Sequence, residues 1–149
     1  MKIRIYSISK KQNKCDEFIK QIRQFGAIVE EINIFNNNIQ KAQKDSTKSA
    51  KESYGIEFSK YLKNNVPNIA FDPNGREINT FEFSDLLRDK NEINFFIGGC
   101  YGFDDIFLSK TTNISLSKLT FSYKMTKIII FEQIFRALCI INNHPYHKE

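Results

Sequence analysis

The segment Tyr123–Asn142 constrains this fold more than any other part of the chain. It carries Met125, Ile128, Ile129, Ile130, Phe131, Ile134, Phe135, Leu138, Ile140 and Ile141. At helical periodicity these side chains cover most of a circumference and not one stripe. A helix of that kind is buried on two sides. The chain has 149 residues, enough for one domain with one sizeable core. A sheet covers one side of the helix, and a second copy of the chain is the simplest cover for the other. That predicts an isologous homodimer. The longest apolar run, Ile128–Phe131, falls far short of the roughly 20 residues a membrane-crossing helix needs.

The rest of the chain supplies the sheet. Lys2–Ile8 alternates apolar with polar side chains and reads as a strand. Cys15–Phe25 has helical spacing and is stopped by Gly26. Ile28–Phe35 is a second strand, followed by a turn at Asn36–Asn38 and a mostly polar helix within Ser46–Asn64. Val66–Phe71 is a third strand. Asp72-Pro73-Asn74-Gly75 should end it in a turn, because Pro fixes φ and Gly tolerates positive φ. Thr80 or Ser84 then caps a helix running to about Asp89. Asn94–Ile97 is apolar without alternation, as expected of a strand covered on both faces. A short helix at Phe103–Lys110 and a short strand at Ile114–Leu116 precede the long helix. Strands alternating with helices predict an α/β domain over residues 1–149, with a mainly parallel sheet and helices on both faces.

Composition narrows the function classes. Cys15, Cys100 and Cys139 are far apart and read as reduced thiols. His144 and His147 are the only histidines and match no zinc spacing, so no metal is expected. The N-terminus begins as a strand and not as a signal segment, which predicts a cytoplasmic protein. A net charge of +5 suits a polyanion such as RNA, although a chain rich in Lys, Asn, Ile and Phe acquires that charge from composition alone.

Four segments carry candidate chemistry. Gly98-Gly99-Cys100-Tyr101-Gly102 follows the fourth strand, at the end of a parallel sheet where ligands bind. Its glycines let backbone approach a ligand, but the spacing is neither a dinucleotide fingerprint nor a P-loop. Ser115–Ser122 offers hydroxyls and main-chain amides to a flat heterocycle, with Leu116 and Leu119 to cover its faces, and Ser122 also serves as a helix cap. Glu132 and Arg136 stand one helical turn apart with Gln133 beside them. This set reads as an intrahelical ion pair or as the rim of a pocket. The tail His144-Pro145-Tyr146-His147-Lys148-Glu149 is rich in rings and imidazoles that can stack, contact phosphate or move a proton.

Taken together, IGG..G, SLS..T, EQ..RA and the closing PYHK resemble the ribosomal RNA large subunit methyltransferase H family of the SPOUT class, over the whole chain. The resemblance implies an α/β fold whose C-terminal part threads a trefoil knot, and a homodimer that acts on the assembled ribosome. It implies N3-methylation of a pseudouridine in helix 69 of 23S ribosomal RNA by S-adenosyl-L-methionine. It also implies a donor site at Phe71, Gly99, Ser117, Lys118, Leu119, Thr120, Phe121 and Ser122. Tyr146 and His147 would reach the active site of the partner subunit. His147 is then the expected base, with Arg136 or Lys127 to stabilise the anion. The chain departs from the family pattern at Tyr123, where His is usual, and at Lys127, where Arg is usual. Those two positions leave a non-catalytic ribosome-binding protein of the same fold as the alternative.

Overall fold

A computed structural model of the chain describes residues 1–10 and 15–148. The elements run β1 (Lys2–Ile8), α1 (Asp16–Arg23), β2 (Ile28–Ile34), α2 (Asn37–Asp45), α3 (Thr47–Ser59), β3 (Asn68–Glu77), α4 (Thr80–Leu87), β4 (Glu92–Ile97), α5 (Asp105–Leu108), β5 (Thr112–Ser115) and α6 (Tyr123–Ile141). The strands form one sheet in the order β2-β1-β4-β3-β5, and every neighbouring pair is parallel.

The period of two along each strand divides the core. Ile3 and Ile5 of β1, Ile69 and Phe71 of β3, and Ile93, Phe95 and Ile97 of β4 face a layer built by α1, α4 and α6. Tyr6, Ile8, Ala70 and Phe96 face the opposite layer, built by α2, α3 and α5. Both faces of the sheet are therefore covered, which is why β4 shows no alternation in sequence. Among the described residues no helix is long and apolar enough to cross a membrane.

Three local expectations are corrected. Asn36 does not begin a free turn; its side chain accepts the Ile39 N–H at 2.9 Å and caps α2. The same short polar side chain serves turns and helix N-termini, so Asn alone does not separate them. The Asp72–Gly75 signal does not end β3 either. Phe71 and Arg76 both register with Ile114 of β5, so the segment is a bulge inside a longer strand, a place that also tolerates Pro. Gly75 is required there, since a Cβ would lie 2.7 Å from the Asn113 carbonyl carbon. Finally, α4 is capped by Asn79 and not by Thr80 or Ser84. Asn79 and Glu82 form a reciprocal capping box.

The long helix lies on the sheet with Ile130, Phe131, Ile134 and Leu138 in the core. Its opposite side near the N-terminus is bare: Met125 is 49% and Ile128 37% exposed.

Candidate active site

Three strand ends meet at one place. Phe71 pairs with Ile97 of β4 and with Ile114 of β5. The bulge after Phe71, the glycine turn after β4 and the loop after β5 therefore leave the sheet side by side. Parallel α/β sheets bind ligands at such carboxyl ends. The Phe71 ring stacks on Phe95 at 5.5 Å between centroids and belongs to the core, which leaves its main chain to face the sheet end.

The glycine turn is shaped from below as well as from above. A Cβ on Gly99 would lie 2.6 Å from Cζ of Tyr54, so Gly99 rests directly on that buried ring. Gly102 adopts φ +83°, and its N–H donates to the Gly99 carbonyl at 3.0 Å, closing the turn. The Tyr54 hydroxyl donates to Oε1 of Gln43 on α2 and lies 3.7 Å from the Cys100 sulfur. Burial pushes the Tyr54 hydroxyl far above its ordinary range, so it stays a neutral donor that ties α2 and α3 to the turn.

The loop after β5 is held at both ends and open in the middle. The buried Ser115 hydroxyl donates to the Ser117 carbonyl at 2.9 Å, and the Ser117 hydroxyl accepts the Leu119 N–H at 3.0 Å. Ser122 caps α6 by accepting the Met125 N–H. Between these anchors the N–H groups of Lys118, Thr120 and Phe121 carry no hydrogen bond among the described residues. Leu119 is 70% exposed. Open amides, a bare leucine and a Cβ-free turn leave main-chain groups at this sheet end free to meet a flat ligand. The strand register thus brings Phe71 and the starts of the glycine turn and of the Ser117–Ser122 loop to one end of the sheet.

The remaining candidates form a second group. Arg136 donates from Nε to Glu132 at 2.9 Å and faces Nδ1 of His147 from Nη1 at 3.1 Å. The Tyr146 hydroxyl donates to Glu132 at 3.3 Å, and its ring lies 4.8 Å from the Arg136 guanidinium carbon. Phe81 meets the His147 ring edge-on at 5.1 Å. Gln133 joins Glu132 to Thr80 of α4. The tail therefore packs on α6, and the Glu132–Arg136 pair is its platform. The hydrogen bond to Glu132 raises the Arg136 guanidinium further. Burial, then Glu132, raises the Tyr146 hydroxyl. Both are donors near neutral pH. Glu149 lies outside the described residues.

The two groups are far apart in one chain. Arg136 follows Ser122 by about 21 Å of helix rise. No hydrogen bond or ring contact among the described residues joins the tail to Gly99 or to Ser117–Ser122.

Lys127 is not available to stabilise a substrate anion. Its side chain is 1% exposed, and its ammonium pairs with Glu31 of β2. Tyr123 accepts the Ser9 hydroxyl proton at 2.9 Å. These two residues tie the start of α6 to the end of β1 and to the middle of β2. Sequence reasoning also passed over Gln43, Tyr54 and Phe81. The one signal that pointed to Tyr54 was the direct Gly98-Gly99 pair, which fits a ring packed against backbone. Among the described residues no group of three or more His, Cys, Asp or Glu could hold a metal ion.

Comparison with known proteins identifies the family. The family described as predicted SPOUT methyltransferase matches residues 1–147. A protein of Sulfurovum sp. named ribosomal RNA large subunit methyltransferase H is 45% identical, covering 99% of this chain and all of its own length. Proteins of the same name from Aliarcobacter butzleri and Helicobacter pylori are 46% and 43% identical over 99% of this chain. A probable methylase family protein of Haemophilus influenzae has a similar fold, with TM-score 0.61 and 12% identity over 99% of this chain and 70% of its own. The open amides, the Cβ-free turn and the full-length kinship converge: the chain belongs to the SPOUT methyltransferases, within the ribosomal RNA large subunit methyltransferase H family.

Proposed function

We propose that this protein methylates N3 of a pseudouridine in helix 69 of bacterial 23S ribosomal RNA, on the assembled ribosome in the cytoplasm. The observation that carries the reading is the meeting of three strand ends at Phe71, with unbonded amides beside them. Phe71, Gly99 and Ser117–Ser122 hold S-adenosyl-L-methionine through main-chain groups, and Leu119 covers one face of the adenine. When bound, the donor supplies a methyl group on a sulfonium that departs as a neutral thioether, so no residue has to protonate a leaving group.

Two copies build each site. The tail is displaced along α6 from the donor loops of its own chain, while Leu119, Met125 and Ile128 leave an apolar surface beside those loops. An isologous dimer that covers this surface lets the tail of one subunit serve the loops of the other.

The tail then acts on the nucleotide. N3 must lose its proton before its lone pair forms the new C–N bond as the C–S bond breaks. Arg136 can only donate, so in its contact with His147 the Nδ1 accepts and Nε2 carries the ring proton. In that arrangement Nε2–H and the Arg136 cation stabilise the pyrimidine anion, and the N3 proton passes to solvent. His147 becomes a base only if Arg136 lets go of Nδ1. Most of the rate comes from positioning. The alternative of a non-catalytic binding protein loses ground, because Tyr123 and Lys127 serve the scaffold and not the site.

Mass mapping of 23S ribosomal RNA from cells with and without the gene tests the reading. One additional methyl group on a helix 69 pseudouridine in the gene-bearing cells is expected. Identical RNA from both would contradict it.

A further inference from the structure

Phe81 stands in the first turn of α4 but takes no part in its core. That helix buries Phe83, Ser84 and Leu87, the spacing of one inward face, and Phe81 belongs to neither side of the core. Its side chain is 44% exposed. Among the described residues its one ring contact is with the half-buried His147, at 5.1 Å and 90° between planes. This contact complements the one from Arg136. The hydrogen bond from Nη1 at 3.1 Å fixes where Nδ1 lies, but the imidazole can still turn about the line joining the two nitrogens. A perpendicular aromatic ring removes that freedom, because such pairs hold an edge-to-face arrangement. Both contacts refer to one frame. Thr80, next to Phe81, donates to Oε1 of Gln133 at 3.1 Å; Gln133 donates to Glu132 at 2.8 Å, and Glu132 accepts from Arg136. The Asn79–Glu82 capping box holds the start of α4. One network thus anchors the guanidinium and the phenyl ring that meet the same imidazole.

We propose that Phe81 is a positioning residue for methyl transfer: it sets the plane of the His147 imidazole, so that Nε2–H meets the pyrimidine anion. Phe81 acts through His147 and from the same subunit as the tail, whichever subunit supplies the donor loops. The inference rests on the ribosomal RNA reading above.

Steady-state methylation of ribosomes by the full-length protein tests it, with the imidazole resonances of the two histidines as a second readout. The chain has His144 and His147 alone, and His144 packs on Phe25 instead, so it serves as an internal control. Phe81→Leu keeps an apolar side chain and removes the planar ring. It should lower kcat about tenfold, within the roughly hundredfold that a misplacement of about 1 Å costs, and leave KM for S-adenosyl-L-methionine and for ribosomes unchanged. The His147 resonances should shift while those of His144 hold. Phe81→Tyr, which keeps the ring, should restore both kcat and the His147 resonances. An unchanged kcat in Phe81→Leu overturns the proposal. A higher KM for ribosomes at unchanged kcat also overturns it, since Phe81 then binds RNA itself. Joint movement of the His144 and His147 resonances overturns it as well, because the whole tail has then come loose. If wild-type protein methylates ribosomes and Phe81→Leu matches it, this role falls and the ribosomal RNA reading stands; a wild-type protein that methylates nothing removes the reading itself.

Discussion

At the scale of single residues, the site is set by contacts with groups that do no chemistry. Gly99 is glycine because the Tyr54 ring leaves no room for a methyl group. Gly99→Ala should therefore cost about 1–3 kcal/mol through overpacking and weaken donor binding by displacing the turn. Thermal melting and calorimetry check this; an unchanged melting temperature would show that the turn yields freely. Lys127 has a similar scaffold role. Its removal strands the Glu31 carboxylate, which is only 15% exposed, and breaking such a pair costs about 3–5 kcal/mol. Lys127→Ala should show that loss in urea unfolding while the methyl-transfer rate per folded molecule holds. A normal stability with a collapsed rate would instead place Lys127 in the chemistry.

At the scale of elements, some parts of the fold are legible in the sequence and others are ambiguous for physical reasons. β1 shows itself because Ile3 and Ile5 alternate with Lys2 and Arg4. The long helix shows itself because its apolar residues exceed any single stripe. The Asn36 cap and the Asp72–Gly75 bulge do not, because a cap, a turn and a bulge all ask for a short polar side chain, a fixed φ or a missing Cβ. The glycine turn and the Ser115–Ser122 loop are readable as motifs, yet their adjacency is a product of strand order, which periodicity does not encode. Sheet pairing also sets a pH dependence. Arg4 of β1 holds the Glu92 carboxyl of β4 below the usual range by hydrogen bonding, and Lys2 does the same for Glu30 of β2. Both carboxyls bind protons more readily in the unfolded chain than in the folded one. Their stabilisation is thus complete above the unfolded carboxyl pKa of about 4.5 and is lost as pH falls through the lower folded values. Equilibrium unfolding at graded acid pH should show this slope, and Arg4→Met should flatten it. A slope of equal steepness in the variant would assign the acid sensitivity to other groups.

At the scale of the whole molecule, the two groups of candidate residues make no hydrogen bond or ring contact with each other among the described residues. The glycine turn and the loop after β5 leave the carboxyl end of the sheet, and the tail with Arg136, Tyr146 and His147 packs well down α6. An apolar surface at Met125 and Ile128 separates them in sequence and remains uncovered in one chain. Met125→Asp with Ile128→Asp should therefore yield a folded monomer with no methyl-transfer activity, as read by sedimentation and by labelled methyl incorporation. A fully active monomer would remove the need for a second copy.

Mixed dimers test the two-subunit site most directly. One subunit carries His147→Ala and the other Leu119→Arg, a change at an exposed position that blocks the donor loop without disturbing the core. If loops and tail come from different subunits, one of the two sites is intact and about half of the wild-type methylation of ribosomes returns, while each variant alone is severely impaired. If the mixed dimer is as inactive as its parents, loops and tail act within one chain, and the composite site is wrong.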